Sequence, residues 1–239
     1  MAFKKTLIDI ETNNLLEPMI DFSTMPLKLK KDSNLWCIVF RNIENVSEKV
    51  TLRLQECTKE KLKELCSNIK ELAGHNIVNF DLPALQLFDV LEYKIGYPGQ
   101  HSTLFGNPVV ITDTLIWSQI LNPDRLGGHS LKSLSKDNKD SKTSHEDFSQ
   151  FSEEMVTYCE EDTLANVGVY FDLLAEQDGW DYSTAYAQEL KLVDLTLKQS
   201  LFGFEFDSEL AAKNIEVLDT HLKDLSDKVN PRLPKKPLN

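Results

Sequence analysis

FKKTLIDIET, residues 3–12, carries the pattern from which the fold class is inferred. Apolar and polar side chains alternate along it, which predicts a β-strand over Phe3–Ile10. Asp9 and Glu11 stand two residues apart, so both side chains point to the same face of that strand. Two acids at the carboxyl end of a strand repel each other unless a cation lies between them. Taken alone, this pair is a weak indication of a metal site, and an exposed strand edge is the simpler interpretation.

The rest of the chain predicts an α/β core followed by helices. Two further strands, Leu35–Asn42 and Lys49–Gln55, are joined by a polar turn and predict a hairpin. Helical periodicity after Thr58 predicts one helix that ends at Gly74. Further predicted elements include a strand over Pro108–Thr112, helices over Asp113–Leu121, Phe151–Ala175, Tyr182–Leu201 and Ser208–Val229, a helix with apolar residues from Leu82 to Leu91, and a short helical stretch over His129–Ser135. Early strands, with helices between and after them, are typical of a mixed sheet flanked by helices with a C-terminal helical extension.

Composition excludes several other classes of protein. The 239 residues are 41% hydrophobic and 27% charged, as in ordinary globular proteins. The longest apolar run, Leu35–Phe40, is far shorter than the roughly 20 residues of a membrane span, and the N-terminus lacks the apolar segment of a signal peptide. We therefore expect a cytoplasmic protein with no membrane partner. Four cysteines without a CxxC pair predict reduced thiols.

The net charge of −12 is concentrated in one region of the chain. Residues 146–194 hold thirteen acids and one base, so the rest of the chain is nearly neutral. Two basic stretches could contact phosphates, although solvated lysines are the simpler interpretation. They comprise Lys132, Lys136, Lys139 and Lys142, and then Lys228, Arg232, Lys235 and Lys236. A global excess of acid therefore does not exclude a nucleic-acid partner.

Two more acidic positions are ambiguous when each is considered alone. Asp81 precedes Leu82 and Pro83, which is typical of a helix N-cap. Tyr158 and Asp162 are four apart in a helical pattern and share one face, as ordinary surface pairs also do. Glu160 and Glu161 between them are expected to point to solvent. The order DxE, then N-x4-D, then Y-x3-D is much more specific than any of its parts.

This ordered set resembles the proofreading 3′→5′ exonuclease domain of family A DNA polymerases, in the tyrosine branch of the DEDD nuclease superfamily. The similar segments are DIET at 9–12, GHNIVNFD at 74–81 and YCEED at 158–162. Further segments are similar to the replicative polymerases of short-tailed bacteriophages: DIETNNLLE at 9–17, DTLIWSQIL at 113–121, GGHSLKSL at 127–134, FSEEMVTYCEEDTL at 151–164 and FGFEFD at 202–207. The resemblance covers nearly the whole chain.

The resemblance implies a ribonuclease-H-like sheet and a role for each motif residue. The implied catalytic set binds metal through four carboxylates and orients the attacking water through a tyrosine; it comprises Asp9, Glu11, Asp81, Asp162 and Tyr158. Thr12 and Leu15 would pack against the terminal nucleotide, with Asn76 near the scissile end; turn formation is the simpler interpretation of Asn76. Asp113 is interpreted as a structural carboxylate beside the site. If the chain is phage-encoded, its expected location is the cytoplasm of the host cell.

The implied chemistry needs two Mg²⁺ or Mn²⁺ ions. A pair of divalent ions about 3.5–4 Å apart can activate water, neutralise developing charge and stabilise the leaving oxygen. Carboxylates are suitable ligands because these ions prefer hard oxygen donors. The implied substrate is a single-stranded or mismatched DNA 3′ end. A 3′→5′ exoribonuclease and a non-catalytic scaffold subunit stay open as alternatives.

The resemblance also predicts how the chain is organised. Residues 1–180 would form the exonuclease domain, and residues 181–239 resemble the helical lead-in to a polymerase module whose palm is absent. We therefore expect either a fragment or a separate subunit that binds a DNA polymerase in trans.

Overall fold

The computed structural model describes residues 3–135 and 147–233, and all secondary structure below refers to them. The chain divides into two compact units, Met1–Leu201 and Phe202–Asn239. The described strands are β1 (Lys5–Thr12), β2 (Ile20–Asp21), β3 (Lys28–Leu29), β4 (Leu35–Asn42), β5 (Lys49–Arg53), β6 (Glu71–Gly74), β7 (Tyr93–Lys94), β8 (Ser102–Leu104) and β9 (Asn107–Asp113). The helices are α1 (Leu16–Met19), α2 (Lys59–Cys66), α3 (Asp81–Leu87), α4 (Thr114–Leu121), α5 (Leu131–Leu134), α6 (Glu153–Glu176), α7 (Ser183–Phe202) and α8 (Ser208–Val229).

Seven strands form one mixed sheet in the order β5-β4-β1-β6-β9-β8-β7. The β4–β5 hairpin lies antiparallel to β1, whereas β6 and β9 run parallel to β1 and to each other. Strand β8 then pairs antiparallel with β9 and with β7. The carboxyl ends of β1, β6 and β9 therefore lie at one edge of the sheet. This topology agrees with the expected ribonuclease-H-like mixed sheet flanked by helices.

Strand β4 lies inside the sheet because its apolar run has no solvent-facing side. Its first seven residues are all buried, in contrast to the alternating burial that a half-exposed strand shows. Helix α6 contacts both β1 and β4. Ser152 caps its first turn by accepting a hydrogen bond from the N–H of Met155 (3.1 Å). The longest helix of the first unit is thus held across the strand that carries Asp9 and Glu11.

The predicted single helix from Thr58 to Gly74 is wrong in its second half. Helix α2 ends at Cys66, and Glu71–Gly74 form strand β6 between β1 and β9. The spacing of Leu65, Ile69 and Leu72 fits a helix, but pairing with two neighbouring strands supplies the backbone hydrogen bonds instead. Gly74 is required at the end of β6: a Cβ there would lie 2.9 Å from Ile77 Cβ and 3.1 Å from the Ile8 carbonyl oxygen.

In the second unit, α8 presents an apolar row that is exposed. Asp207 caps the helix by accepting a hydrogen bond from the N–H of Leu210 (2.8 Å). The exposed row comprises Ile215, Leu218, Leu222 and Leu225. Among the residues that the structure describes, no helix combines the length and apolarity that crossing a bilayer requires.

Candidate active site

Asp9 and Glu11 lie on the same face of β1, as the strand pattern predicts. The register between β1 and β4 shifts between Glu11 and Thr12, an irregularity that can redirect side chains next to functional sites. Burial, and then the negative charge of Asp9, raise the pKa of Glu11 from 4.5 to about 10. Cys37, Asp162 and Asp81 act in the same direction. Glu11 therefore lies among the other three predicted metal ligands.

Asp81 is buried and does not act as the predicted helix N-cap. It is the first residue of α3, the N-cap is Phe80, and no side chain caps this helix. One carboxylate oxygen of Asp81, Oδ1, has no hydrogen-bond partner within residues 3–135 and 147–233. Burial, and then the charge of Asp9, raise the pKa of Asp81 well above its ordinary value. An unpartnered buried carboxylate oxygen beside other acids fits a bound cation.

Tyr158 and Asp162 approach the same cluster from the N-terminal half of α6. The tyrosine hydroxyl donates a hydrogen bond to the Asp162 carboxylate, and burial followed by the Asp162 charge raises the pKa of Tyr158. Glu11 and Asp9 act on Tyr158 in the same direction. The Tyr158 ring also packs edge-on against Phe148, with 6.3 Å between ring centroids. Tyr158 is therefore half-buried and protonated, with its hydroxyl next to the acids.

Cys159 is a residue of this site that the sequence interpretation missed. Its buried thiol donates a hydrogen bond to Asp9 Oδ2 (3.5 Å). One potential ligand atom each from Asp9, Glu11 and Cys159 lies within 4.8 Å of the others. The signal was present, because Cys159 sits inside YCEED three residues before Asp162 and so shares its side of the helix. Together, the carboxylates supply the hard oxygen donors that Mg²⁺ and Mn²⁺ prefer, so these residues fit divalent ions.

Asp113 braces the loop that leads to Asp81. Its Oδ1 accepts hydrogen bonds from the N–H groups of Asn76 (3.0 Å), Leu115 (3.0 Å) and Ile116 (3.4 Å). Its Oδ2 accepts from the N–H of Val78 (3.2 Å). Burial raises the pKa of Asp113 to about 6, against the opposing effect of these four donors. Asp113 is thus a structural carboxylate that caps α4 and fixes residues 76–78.

Asp113→Asn is expected to lower the free energy of unfolding by about 1–3 kcal/mol. An asparagine has one acceptor oxygen and one NH2 group in place of the two carboxylate oxygens. Either the N–H of Val78 or the three N–H groups that donate to Oδ1 would therefore face the NH2 group and lose their acceptor. Urea denaturation of wild type and variant measures the difference, with Asp219→Asn on the exposed surface of α8 as control. Equal stability of Asp113→Asn and wild type would contradict this bracing role.

A groove of about 420 Å³ is lined by residues that lie close in the chain to Glu11 and Asp81. Residues 15–17, which follow Glu11 and Thr12, line one side, and Asn76, Asn79 and Phe80 line another. Thr196, Leu197 and Ser200 of α7 complete it. Leu15 is 71% exposed, which leaves its side chain available for contact with a ligand. The structure therefore brings together two of the three predicted nucleotide contacts, Leu15 and Asn76.

Thr12 and Asn76 have clear structural roles as well. Thr12 is buried, and its hydroxyl donates to the carbonyl oxygen of Asn14 (2.6 Å). Asn76 adopts a positive φ of 61°, which asparagine tolerates better than most residues, so it is a turn residue as considered above. The nucleotide-contact roles of Thr12, Leu15 and Asn76 stay predictions.

The expectation that Glu160 points to solvent is wrong. Glu160 is partly buried: its Oε2 accepts a hydrogen bond from Lys49, and its Oε1 accepts one from the Thr51 hydroxyl (2.6 Å). Of the basic stretches, Lys132, Lys228 and Arg232 are exposed. Lys136, Lys139, Lys142, Lys235 and Lys236 lie outside the described residues.

No protein-family model matches this sequence, and no curated protein matches it. Solved structures do resemble it. Brucella melitensis NrnC with bound Mg²⁺ is 19% identical, with a TM-score of 0.54 over 86% of this chain and 90% of that chain. Brucella melitensis NrnC bound to pGG is 18% identical, with a TM-score of 0.54 over 86% and 89%. A structure described as the apo form of the nuclease is 18% identical, with a TM-score of 0.53 over 85% and 88%.

These similarities extend over most of both chains, so they concern the whole fold rather than a local motif. At 18–19% identity they establish the fold alone. The predicted fold class, a ribonuclease-H-like mixed sheet flanked by helices with a C-terminal helical part, is confirmed.

Proposed function

We propose that this chain is a metal-dependent 3′→5′ exodeoxyribonuclease. It would release nucleoside monophosphates from single-stranded or mismatched DNA 3′ ends. The observation that carries the proposal is the convergence of Asp9, Glu11, Asp81 and Asp162, which come from three separate segments of the chain. Mutually repelling acids gathered in one partly buried place destabilise the fold unless cations bind them, so the arrangement favours a metal-dependent function over a structural one.

The similar structures support the same class of activity. One of them is described as a nuclease, another contains Mg²⁺, and a third is bound to pGG. Our proposal transfers the nuclease activity and the preference for a hard divalent ion to this chain. Two Mg²⁺ or Mn²⁺ ions are proposed because four carboxylates are more than one hexacoordinate ion with several waters usually takes.

Each residue of the site has a proposed task. Asp9, Glu11, Asp81 and Asp162 would hold the ions, which supply Lewis-acid stabilisation of the phosphate and of the leaving 3′ oxygen. Tyr158, kept protonated by its surroundings, would hold the attacking water in line by a hydrogen bond. Leu15 and Phe80, on two sides of the groove, would support the unpaired terminal bases by apolar contact, whatever their sequence.

A 5′-labelled single-stranded DNA oligonucleotide tests the proposal directly. With Mg²⁺ or Mn²⁺ present, we expect a ladder of products that shorten from the 3′ end, with nucleoside monophosphates released. Excess EDTA should stop the reaction because the ligand set works only through bound cations. Equal digestion in EDTA, or products that shorten from the 5′ end, would refute the proposal.

Tyr158→Phe is expected to lower kcat by about tenfold to a hundredfold, because one hydrogen bond to the reacting water is lost. KM and thermal stability should change little, since phenylalanine keeps the ring contact with Phe148. Single-turnover digestion of the same oligonucleotide measures the rate, and melting by circular dichroism measures stability. A kcat equal to that of wild type would remove Tyr158 from the chemistry.

An exoribonuclease is the closest alternative, because the carboxylate chemistry does not distinguish the two sugars. The similar structure bound to pGG is the observation that favours a short ribonucleotide substrate. The sequence resemblance to phage polymerases favours DNA. Matched DNA and RNA oligonucleotides, with pGG itself as a further substrate, decide between them by the ratio of kcat/KM values.

We further propose that the activity proofreads for a DNA polymerase, on the basis of the sequence resemblance. Residues 1–180 would form the nuclease and residues 181–239 the lead-in to a polymerase module, present as a fragment or acting with a polymerase in trans. The exposed apolar row of α8 is available for such a partner. A non-catalytic scaffold is the alternative. Wild-type protein that captures a polymerase but digests no DNA would support the scaffold, whereas metal-dependent digestion by the wild type argues against it.

A further inference from the structure

We propose that Arg41 is a positioning residue, which orients Asp162 and Tyr158 by clamping the 160–163 turn of α6. This inference rests on the proposed function, because it concerns the metal ligands of that site. Arg41 lies on β4, next to β1, and is only 6% exposed. A buried guanidinium is costly unless its donors are used, so its contacts indicate what it does.

The guanidinium of Arg41 holds α6 at two adjacent points. Its Nη2 donates to the carbonyl oxygen of Glu160 (2.8 Å), and its Nε donates to the hydroxyl oxygen of Thr163 (3.0 Å). Nη1 donates to the carbonyl oxygen of Val46 (2.6 Å), in the turn between β4 and β5. The planar guanidinium of an arginine carries five N–H donors and can bind all three acceptors at once, whereas a lysine has a single donor nitrogen. Asp162 lies between the two anchored residues.

A second contact reinforces the same turn from β5. The carboxylate of Glu160 accepts hydrogen bonds from Lys49 and from the Thr51 hydroxyl (2.6 Å). Backbone and side chain of Glu160 are therefore both attached to the β4–β5 hairpin. The hairpin also pairs with β1, which carries Asp9 and Glu11. The clamp consequently links Asp162 on α6 to Asp9 and Glu11 on β1 through one piece of sheet.

The consequence is a fixed separation between Asp162 and the strand carboxylates. Metal sites depend on ligands held in place by outer partners, and loss of such partners typically costs tenfold to a hundredfold in metal affinity. Removal of the Arg41 clamp would let the 160–163 turn relax away from β4. Asp162 would then shift relative to Asp9 and Glu11, and Tyr158, one turn earlier, would shift with it.

The test compares Mn²⁺ binding to wild type, Arg41→Met and Arg41→Lys by isothermal titration calorimetry, a measurement that needs no substrate. We expect Arg41→Met to weaken Mn²⁺ binding by about tenfold. Arg41→Lys keeps the positive charge but loses the guanidinium N–H groups that bind Glu160 and Thr163, so it should also bind Mn²⁺ more weakly than wild type. Circular dichroism shows that each variant is folded at the temperature of the titration.

Arg125→Met is the matched control, because Arg125 also contacts α6 but far from the site. Its Nη2 donates to the Glu176 carboxylate (2.7 Å), about 20 Å along the helix from Asp162. We expect this variant to lose some thermal stability and to bind Mn²⁺ as wild type does. An equal loss of Mn²⁺ affinity in both methionine variants would show that general loosening of α6, rather than the clamp, is responsible.

Thr51→Val covers the case in which Arg41→Met does not fold. It removes one hydrogen bond to Glu160 while keeping the shape of the side chain, and we expect about threefold weaker Mn²⁺ binding. Unchanged Mn²⁺ affinity in a folded Arg41→Met, or in Thr51→Val if Arg41→Met is unfolded, overturns the proposal. Wild type that binds Mn²⁺ but digests no nucleic acid overturns the nuclease and leaves the clamp standing, whereas wild type that binds no Mn²⁺ overturns both.

Discussion

Replacement of both Asp9 and Glu11 by alanine should slow 3′ end shortening by at least about 10³-fold. Metal ions contribute several kcal/mol of transition-state stabilisation, and each 1.36 kcal/mol corresponds to a factor of ten in rate. The two side chains share one face of β1, and their removal leaves Asp81, Asp162 and the Cys159 thiol, which donates to Asp9 in the wild type. A thiol is a poor ligand for Mg²⁺, and the two carboxylates that remain are half of the proposed ligand set, so only weak metal binding is expected.

Single-turnover digestion of a 5′-labelled oligonucleotide measures this loss. The matched control is Glu60→Ala with Glu64→Ala, which removes two negative charges from exposed positions on α2. The control should digest DNA at the wild-type rate, so that a change in net charge is excluded as the cause. If Asp9→Ala with Glu11→Ala retained more than a tenth of the wild-type rate, the site would lie elsewhere.

The second large effect is a dependence of stability on both pH and metal. Without metal, burial and neighbouring charges raise the pKa of Glu11 to about 10 and that of Asp81 well above its ordinary value. The folded state therefore binds these protons more tightly than the unfolded state does. Their stabilising contribution is complete below about pH 4.5 and declines as pH rises towards 10. In EDTA, the melting temperature should fall between pH 5 and pH 9.

Mn²⁺ should reverse this loss, because bound cations replace the protons. At a concentration 100 times Kd, a ligand stabilises the folded state by about 2.7 kcal/mol, which corresponds to roughly 5–10 °C for a chain of this size. The increase should be larger at pH 8 than at pH 5, since the ligands must be deprotonated to bind. Differential scanning fluorimetry at both pH values, with Mn²⁺ or EDTA, measures it.

Asp81→Asn separates the metal effect from general stabilisation by salt. In EDTA at pH 8 the variant should melt above wild type, because wild type must either bury the Asp81 charge or take up a proton on folding, and asparagine does neither. Its Mn²⁺-induced increase should be much smaller than that of wild type. Asp219→Asn, an exposed change on α8, should behave as wild type. A Mn²⁺ response in Asp81→Asn equal to that of wild type would mean that Asp81 is not a ligand.

Local patterns account for much of the fold. The alternation in β1, the hairpin of β4 and β5 and the capped helix α6 follow from side-chain periodicity and N-cap chemistry, which act over a few residues. Strand β6 could not be predicted in this way. Leu72 continues the helical spacing of Leu65 and Ile69, and the strand character of Glu71–Gly74 comes from pairing with β1 and β9. Contacts between residues far apart in the chain outweighed local preference there.

The residues of the site also divide into those that local sequence patterns could identify and those that depend on tertiary contacts. The acids and the tyrosine were identifiable, because their types, order and spacing form a specific pattern along the chain. Arg41 and the role of Glu160 were not, because both depend on where α6 crosses the sheet. Cys159 was missed, although its place three residues before Asp162 in YCEED was a usable signal. Asp113 is intermediate: the sequence resemblance predicts a structural carboxylate there, but its bonds to Asn76 and Val78 join segments more than thirty residues apart and could not be predicted.

The sequence by itself therefore determined which residue types were available for metal chemistry, and in which order along the chain. Only the tertiary structure decided that Glu11, Asp81 and Asp162 share one partly buried place, and that a buried arginine holds the last of them. The physical reason is distance along the chain. Hydrogen bonding and side-chain periodicity act between near neighbours, whereas convergence of these acids depends on the parallel pairing of β1, β6 and β9 and on the packing of α6 across β1 and β4.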